Sequence, residues 1–273
     1  MRLLQAILAL TAVSGCAGAS GDVDPATQAL EGSFAMVQLE GGDDSVTEVL
    51  GAVVRYRGVE AQTVADLLGA RGLSPLESCV LSEGEVSLDF GAEVDLRSAG
   101  TLEILAAADV RPIALESWLE QSALSGVYYA AQLENLDVSE DVVVRAGGSA
   151  FAAPFDVAIS RPARLDGVWI DGISAGDANI LVADRAFEIA WEAGDPRDRI
   201  EIELTLGGTT MRCACRDDGS FRIDAGPVME LETETHGRLV LRRVRMQPFD
   251  LTGLDAAWIS AASMRNVDFA LQQ

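Results

Sequence analysis

The stretch Arg199-Ile200-Glu201-Ile202-Glu203-Leu204-Thr205-Leu206 alternates strictly between polar and apolar residues. A period of two places the aliphatic side chains on one face of a β-strand and the polar ones on the other. Gly207-Gly208 follows and predicts a hairpin turn into a second strand over Thr210–Cys215. These residues therefore predict an antiparallel sheet with one buried face near the C-terminus.

Short apolar segments of strand length continue in both directions from this hairpin. They cover Ser33–Gly41, Val49–Arg57, Ser78–Asp95, Leu102–Leu105, Gly126–Ala131, Asp141–Ala146, Phe155–Ile159, Ala186–Trp191, Phe221–Ile223, Arg238–Met246, Ala257–Ser260 and Val267–Leu271. Pro154 and Pro162 bracket Phe155–Ile159, which predicts an edge strand or a crossover because proline lacks the N–H that a central strand needs. We expect a short helix over Gln62–Gly69, and either a helical turn or a loop over Leu115–Leu124.

Many short strands separated by turn residues predict a mainly β protein with two tandem β-sandwich modules, the first with a short helix. A segment rich in glycine, with Pro162 near its start, runs from Arg161 to Gly176 and marks the boundary. The expected organisation is a leader over residues 1–15, a flexible tether over 16–32, an N-terminal module over 33–162 and a C-terminal sandwich over 163–273.

The C-terminal strands carry a family resemblance. Gly147-Gly148, the Pro154–Val157 segment, the Phe187–Pro196 segment, Cys213 and the Asp218–Ile223 segment occur in an order that resembles an immunoglobulin-like module of bacterial surface proteins. The resemblance covers roughly residues 140–260. It implies an immunoglobulin-like sandwich and carries over no catalytic residues.

The N-terminus predicts export. Arg2 precedes an apolar run that ends at Val13 and is too short to cross a bilayer as a helix, as in a secretory signal peptide. Val13-Ser14-Gly15-Cys16 resembles a bacterial lipobox, which implies that Cys16 becomes the lipidated first residue of the mature protein. Its acyl chains would anchor the protein to a membrane, since each buried CH₂ contributes about 0.8 kcal/mol. Ala17 in place of aspartate favours the outer membrane under the common sorting rule.

Three cysteines remain after Cys16. An oxidising compartment favours one disulfide among Cys79, Cys213 and Cys215. Cys213 and Cys215 lie two apart in a predicted strand, where their Cα atoms are about 7 Å apart, too far to bridge easily. We expect Cys79–Cys213, with Cys79–Cys215 as the alternative. A zinc site would need a fourth ligand beyond these cysteines.

The chain is strongly acidic. It has 43 acidic residues, 20 basic residues that are all arginine, and a formal net charge of −23. Such a surface repels nucleic acid and anionic lipid headgroups, so no nucleic-acid partner is expected and a membrane contact must come from acyl chains. We expect a protein of the envelope or an extracellular glycan as a further partner.

No residue pattern predicts catalysis or a cofactor. The only histidine, His236, lies in a predicted turn, and a hydrolase triad would need it beside a nucleophile and an acid. Oxygen-rich turns make weak calcium candidates of Asp171, Asp177, Asp195 and Asp198, but their spacing is not that of an EF-hand.

The sequence therefore predicts a non-catalytic lipoprotein of the outer membrane, on its periplasmic face or at the cell surface, with a binding, adhesion or structural role. An accessory subunit of an envelope complex is the first alternative. A polysaccharide hydrolase that uses paired carboxylates is the second.

Overall fold

The computed structural model of the chain describes residues 31–42, 46–70, 75–83, 91–107, 109–121, 124–134, 136, 141–175, 180–182, 186–206, 209–224 and 236–272. Within these residues the protein is mainly β, as predicted, with one short helix. The described residues do not include the leader, residues 16–30 of the predicted tether, or Asp177. The last two residues of the predicted tether, Glu31 and Gly32, belong to a strand, so the tether prediction is wrong there.

The strands run throughout the described chain. In chain order they are β1 (Glu31–Gly41), β2 (Val46–Arg57), β3 (Ser78–Glu83), β4 (Glu93–Arg97), β5 (Leu102–Ala106), β6 (Asp109–Gln121), β7 (Leu124–Glu134), β8 (Val142–Ala146), β9 (Phe155–Ile159), β10 (Val168–Ile170), β11 (Ile173–Ser174), β12 (Ile180–Val182), β13 (Phe187–Trp191), β14 (Arg199–Leu206), β15 (Thr209–Arg216), β16 (Ser220–Ile223), β17 (His236–Pro248) and β18 (Ala256–Gln272). The helix α1 spans Ala61–Leu67.

Most strands belong to one large mixed sheet. Its order is β3-β15-β14-β17-β18-β1-β2-β4-β7-β6-β5-β8-β9, with β12 added beside β18. The second sheet is small, in the order β11-β10-β13-β16. Strand β9 ends the large sheet, which confirms the edge position that its flanking prolines predicted.

The large sheet crosses the predicted boundary between residues 162 and 163. Strand β1 pairs with β18 in parallel, from Phe34 opposite Ala256 to Gly41 opposite Ser263. Strand β3 pairs with β15 in antiparallel register. Backbone hydrogen bonds therefore join strands from both sides of the predicted boundary in one sheet. The division of the chain into two modules at this boundary stays a prediction.

The small sheet packs over the C-terminal strands of the large sheet and forms a sandwich. Phe187, Ile189 and Trp191 of β13 meet Ile200, Ile202, Leu204 and Leu206 of β14 in one core. The four aliphatic residues of β14 are at most 1% exposed, so the alternation that opened the sequence analysis marks the buried face correctly.

A second core lies between the β5-β8-β9 end of the large sheet and its central strands β1 and β18. Strand β6 pairs with β5 through its first half and with β7 through its second, so one continuous strand joins this end to the rest of the sheet. Ile104 of β5 and Val144 of β8 then pack with Val37 of β1 and Ile259 of β18. Burial of such aliphatic side chains stabilises the fold by about 1.5–3 kcal/mol each.

Helix α1 covers the opposite face of β1, β2 and β4. Val64 and Leu68 pack with Phe34, Met36 and Val54, and all five are at most 6% exposed. Strand β1 is thus buried on both faces from Phe34 to Val37, because Ala35 and Val37 face the core described above.

One disulfide joins β3 to β15. Cys79 and Cys213 are direct partners in the register of these strands and are bonded to each other, as expected. Cys215 is a buried free thiol on the same face of β15, so the alternative pairing Cys79–Cys215 is wrong.

Two local expectations are wrong. Residues 115–121 and Leu124 form neither a helical turn nor a loop, because they belong to β6, which continues to Gln121, and to β7, which begins at Leu124. Leu115 is 48% exposed, so this strand lacks the alternating burial that reveals strands in a sequence. The two predicted strands 257–260 and 267–271 are one strand, β18, which continues through the small buried residues 261–263 and the less buried residues 264–266.

We expect Cys215 to react with iodoacetamide only after the protein is unfolded. Burial raises the pKa of this thiol, the nearby carboxylates Glu77 and Asp218 raise it further, and the thiolate is the reactive form. Peptide mass spectrometry of non-reduced protein measures the outcome, with the cross-linked Cys79–Cys213 peptide as the internal control. Rapid labelling of the native protein would contradict this expectation.

Candidate functional site

An open trough lies on the outer face of the large sheet, beside the end of helix α1. It has a volume of about 590 Å³ and is formed by β1, β2, β6, β7 and the residues after α1. Its lining includes Glu40, Glu48, Leu50, Leu68, Glu116 and Tyr128. This volume falls in the range of about 300–1,000 Å³ that is typical of ligand sites.

The trough has a polar rim and an apolar floor. Glu48, Glu116 and Gln132 are exposed, whereas Leu50 is half-buried and Leu68 is buried. Glu48 and Leu50 are two apart in β2 and therefore share this face, so rim and floor follow each other along the strand.

Two carboxylates of the trough lie directly opposite each other. Glu40 of β1 and Glu48 of β2 are register partners, and like charges in such positions destabilise a sheet. The amide Nε2 of Gln132 lies 3.4 Å from Oε1 of Glu48 and donates a hydrogen bond to it. The Nε2 of Gln38 donates to Oε2 of Glu40 at 3.4 Å.

Arg242 balances one side of this charge. From β17 its guanidinium forms an ion pair with Glu40, and its Nη1 lies 3.5 Å from Oε2 of Glu203 on β14. Burial lowers the pKa of Arg242, but the charge and hydrogen bond of Glu40, together with Glu203, outweigh burial and hold this pKa above its ordinary value. Glu40 is thus a paired carboxylate at the end of the trough.

A second group of polar contacts lies in the C-terminal sandwich. It consists of four charged residues and one tryptophan, which we name the clamp: Arg243, Arg245, Asp198, Asp217 and Trp191. Nε of Arg243 lies 2.7 Å from Oδ2 of Asp217, and the two side chains are 2% and 0% exposed. The indole Nε1 of Trp191 donates to Oδ1 of Asp217 at 2.7 Å. Nε and Nη2 of Arg245 bind both oxygens of Asp198 at 2.7 and 3.0 Å.

The clamp also holds the chain that connects β9 to β10. Nη1 of Arg243 donates to the carbonyl oxygens of Ala163 and Arg164 at 3.2 and 3.0 Å. Nη1 of Arg245 donates to Oγ of Ser160 at 2.9 Å. The connection that the sequence marked as a domain boundary is therefore fixed by buried guanidinium groups, and the clamp has a positioning role.

Of the calcium candidates that the structure describes, Asp195 and Asp198 share a partner, because both form ion pairs with Arg245. Both of these carboxylates face guanidinium groups: Asp195 lies 3.2 Å from Arg245 and binds Arg197, which lowers the pKa of Asp195. A cation would have to displace these arginines. Asp171 lies in a tight turn between β10 and β11, where its Oδ1 accepts a hydrogen bond from the amide of Glu188 at 2.9 Å.

Within the described parts of the chain, no group of three histidine, cysteine or acidic residues is placed to hold a metal ion. His236 is the first residue of β17. Trp191 and Trp258 are 4% and 6% exposed and belong to cores.

Sequence reasoning missed both the trough and the clamp. The residues of the trough come from four strands, some of which are far apart in the chain. The sequence indicates them only by polar residues at alternate positions of apolar strands, such as Gln38 and Glu40. The clamp has a clearer signal, because Arg242-Arg243 interrupts the apolar strand β17. Charges in such positions are almost never fully buried unless they are paired.

No model of a known protein family matches the chain, and the search of curated proteins gives no match. Among the residues that the structure describes, no helix has the length and apolar character needed to cross a membrane.

We expect Asp217→Asn to destabilise the protein by about 3–5 kcal/mol, because Arg243 would keep its buried charge without a partner. Asp218→Asn is the matched control, since the neighbouring side chain is exposed and its loss costs less than about 0.5 kcal/mol. Urea unfolding followed by circular dichroism measures both variants. Equal midpoints for the two variants would contradict the role of the clamp.

Proposed function

We propose that this protein is an exported lipoprotein of the bacterial envelope with a non-catalytic binding role. The observation that carries the proposal is the sequence Val13-Ser14-Gly15-Cys16 after a short apolar run, which resembles a lipobox. The proposed location is the outer membrane, to which Cys16 is anchored by acyl chains, with the folded part on the periplasmic face or at the cell surface.

The disulfide supports export. Cys79 and Cys213 are bonded across adjacent strands, and stable disulfides of this kind belong to oxidising compartments such as the periplasm and the cell surface. The formal net charge of −23 supports anchoring by acyl chains, because the acidic protein is repelled by anionic headgroups.

The trough supports binding over catalysis. A carboxylate hydrolase needs two carboxyl groups that both face the substrate. Glu40, which lies opposite Glu48, is engaged in an ion pair with Arg242. This pair of carboxylates therefore suits the recognition of a ligand better than hydrolysis.

An accessory subunit of an envelope complex is a form of the same proposal. The protein would then bind a partner protein of the complex through the trough, and both forms share the anchor at Cys16.

We expect the mature protein to begin at Cys16 and to carry a diacylglycerol thioether and an N-acyl chain. Mass spectrometry of the N-terminal peptide, together with incorporation of an alkyne-labelled palmitate, measures this directly. Cys16→Ser should abolish labelling and leave an uncleaved precursor, because the thioether cannot form. Cys215→Ser is the matched control and should be labelled like the wild-type protein.

A mature N-terminus at any other residue, or an unmodified Cys16, would overturn the proposed anchor. Equal labelling of Cys16→Ser and Cys215→Ser would also overturn it, because the lipid would then be attached elsewhere.

A further inference from the structure

We infer that the trough binds a flexible basic segment of a partner protein through the side chains of arginine or lysine residues. The inference rests on the proposed binding function and specifies its ligand. It is carried by the combination of charge, apolar floor and aromatic lining in the trough.

The charge of the trough is complementary to a cation. Glu48 and Glu116 are exposed at its rim, and within the described chain neither carboxylate forms an ion pair. Arg242 pairs with Glu40 and with Glu203, whereas Glu48, which faces Glu40 across the two strands, is held by the neutral amide of Gln132. A guanidinium or ammonium group of a ligand would supply Glu48 with a charged partner.

The apolar floor is complementary to the rest of a basic side chain. Arginine and lysine bury their methylene stems against apolar surface while the charged head reaches polar groups. In the trough Leu50 and Ala130 are half-buried register partners, and Leu68 closes the floor from the helix side. Glu48 lies level with Gln132 and Glu116 level with Tyr128 on β7, so a segment with more than one basic residue can meet both carboxylates.

Tyr128 adds an aromatic surface beside a carboxylate. It is half-buried, lines the trough, and is the register partner of Glu116 on β6. A cation held by Glu116 would lie near the ring, and the face of a tyrosine ring attracts cations. The charge of the trough disfavours an anionic ligand, and a neutral glycan is the other class of ligand that the experiment separates.

The experiment measures binding of a fluorescent oligoarginine peptide to the full, lipidated protein in detergent micelles by fluorescence anisotropy, at an ionic strength of about 150 mM to screen diffuse attraction. An oligoglutamate peptide and a neutral oligosaccharide are titrated in parallel. The variant of the trough is Glu48→Gln with Glu116→Gln. The matched control is Glu188→Gln with Glu192→Gln, which removes the same charge from exposed positions outside the trough.

We expect saturable binding of the oligoarginine peptide that weakens about tenfold or more in the trough variant and less than about twofold in the control. Equal weakening in both variants would overturn the inference, because the attraction would then come from net charge alone. Binding of the neutral oligosaccharide without the peptide, or no saturable binding, would overturn it as well. The lipid anchor is measured separately on Cys16, so failure here is distinguishable from failure of the proposed function.

Discussion

Strand β18 hydrogen-bonds to β1 on one side and to β17 on the other, and through these two pairings the N- and C-terminal parts of the chain share one sheet. Its first half contributes Ala257 and Ile259 to the core formed with β1, and its second half contributes Val267 and Phe269 to the core of the sandwich. Small residues between them allow close packing on both faces. Movement of β18 would therefore disturb both cores at once.

The clamp fixes the connection between the two cores. The connection from β9 to β10 leads from one core to the other and has no regular secondary structure over residues 160–167. Arg243 holds its carbonyl oxygens, and Asp217 neutralises the buried guanidinium. A buried ion pair contributes little net stability compared with apolar packing, because desolvation of the two charges is costly. Its contribution here is positional, since several directed hydrogen bonds allow one arrangement of the connection.

The trough follows from the same sheet. Helix α1 covers the outer face of β1 at Phe34 and Met36, and further along, the same face carries Gln38 and Glu40, which line the trough. The adjacent strands β2 and β7 add polar residues at the same level. The change from apolar to polar character along one strand face thus separates the core under the helix from the trough, to which the proposed binding role is assigned.

The amino-acid sequence by itself determined the local properties of this protein. Alternation over Arg199–Leu206 predicted a strand and its buried face, the spacing of Val64 and Leu68 predicted the helix, and residues 13–16 predict the anchor, because each depends on residues close together in the chain. The sequence also favoured the correct disulfide, since strand geometry disfavoured the pairing of Cys213 with Cys215.

Only the tertiary structure decided which distant strands are neighbours. The parallel pairing of β1 with β18, the ion pair of Arg243 with Asp217 and the opposition of Glu40 and Glu48 each depend on register or packing between separate strands. The clamp and the trough therefore could not be predicted from the sequence. The alternation of polar and apolar residues indicates which face of a strand is buried. It carries no information on which strand lies beside that strand or which charges the strand meets there.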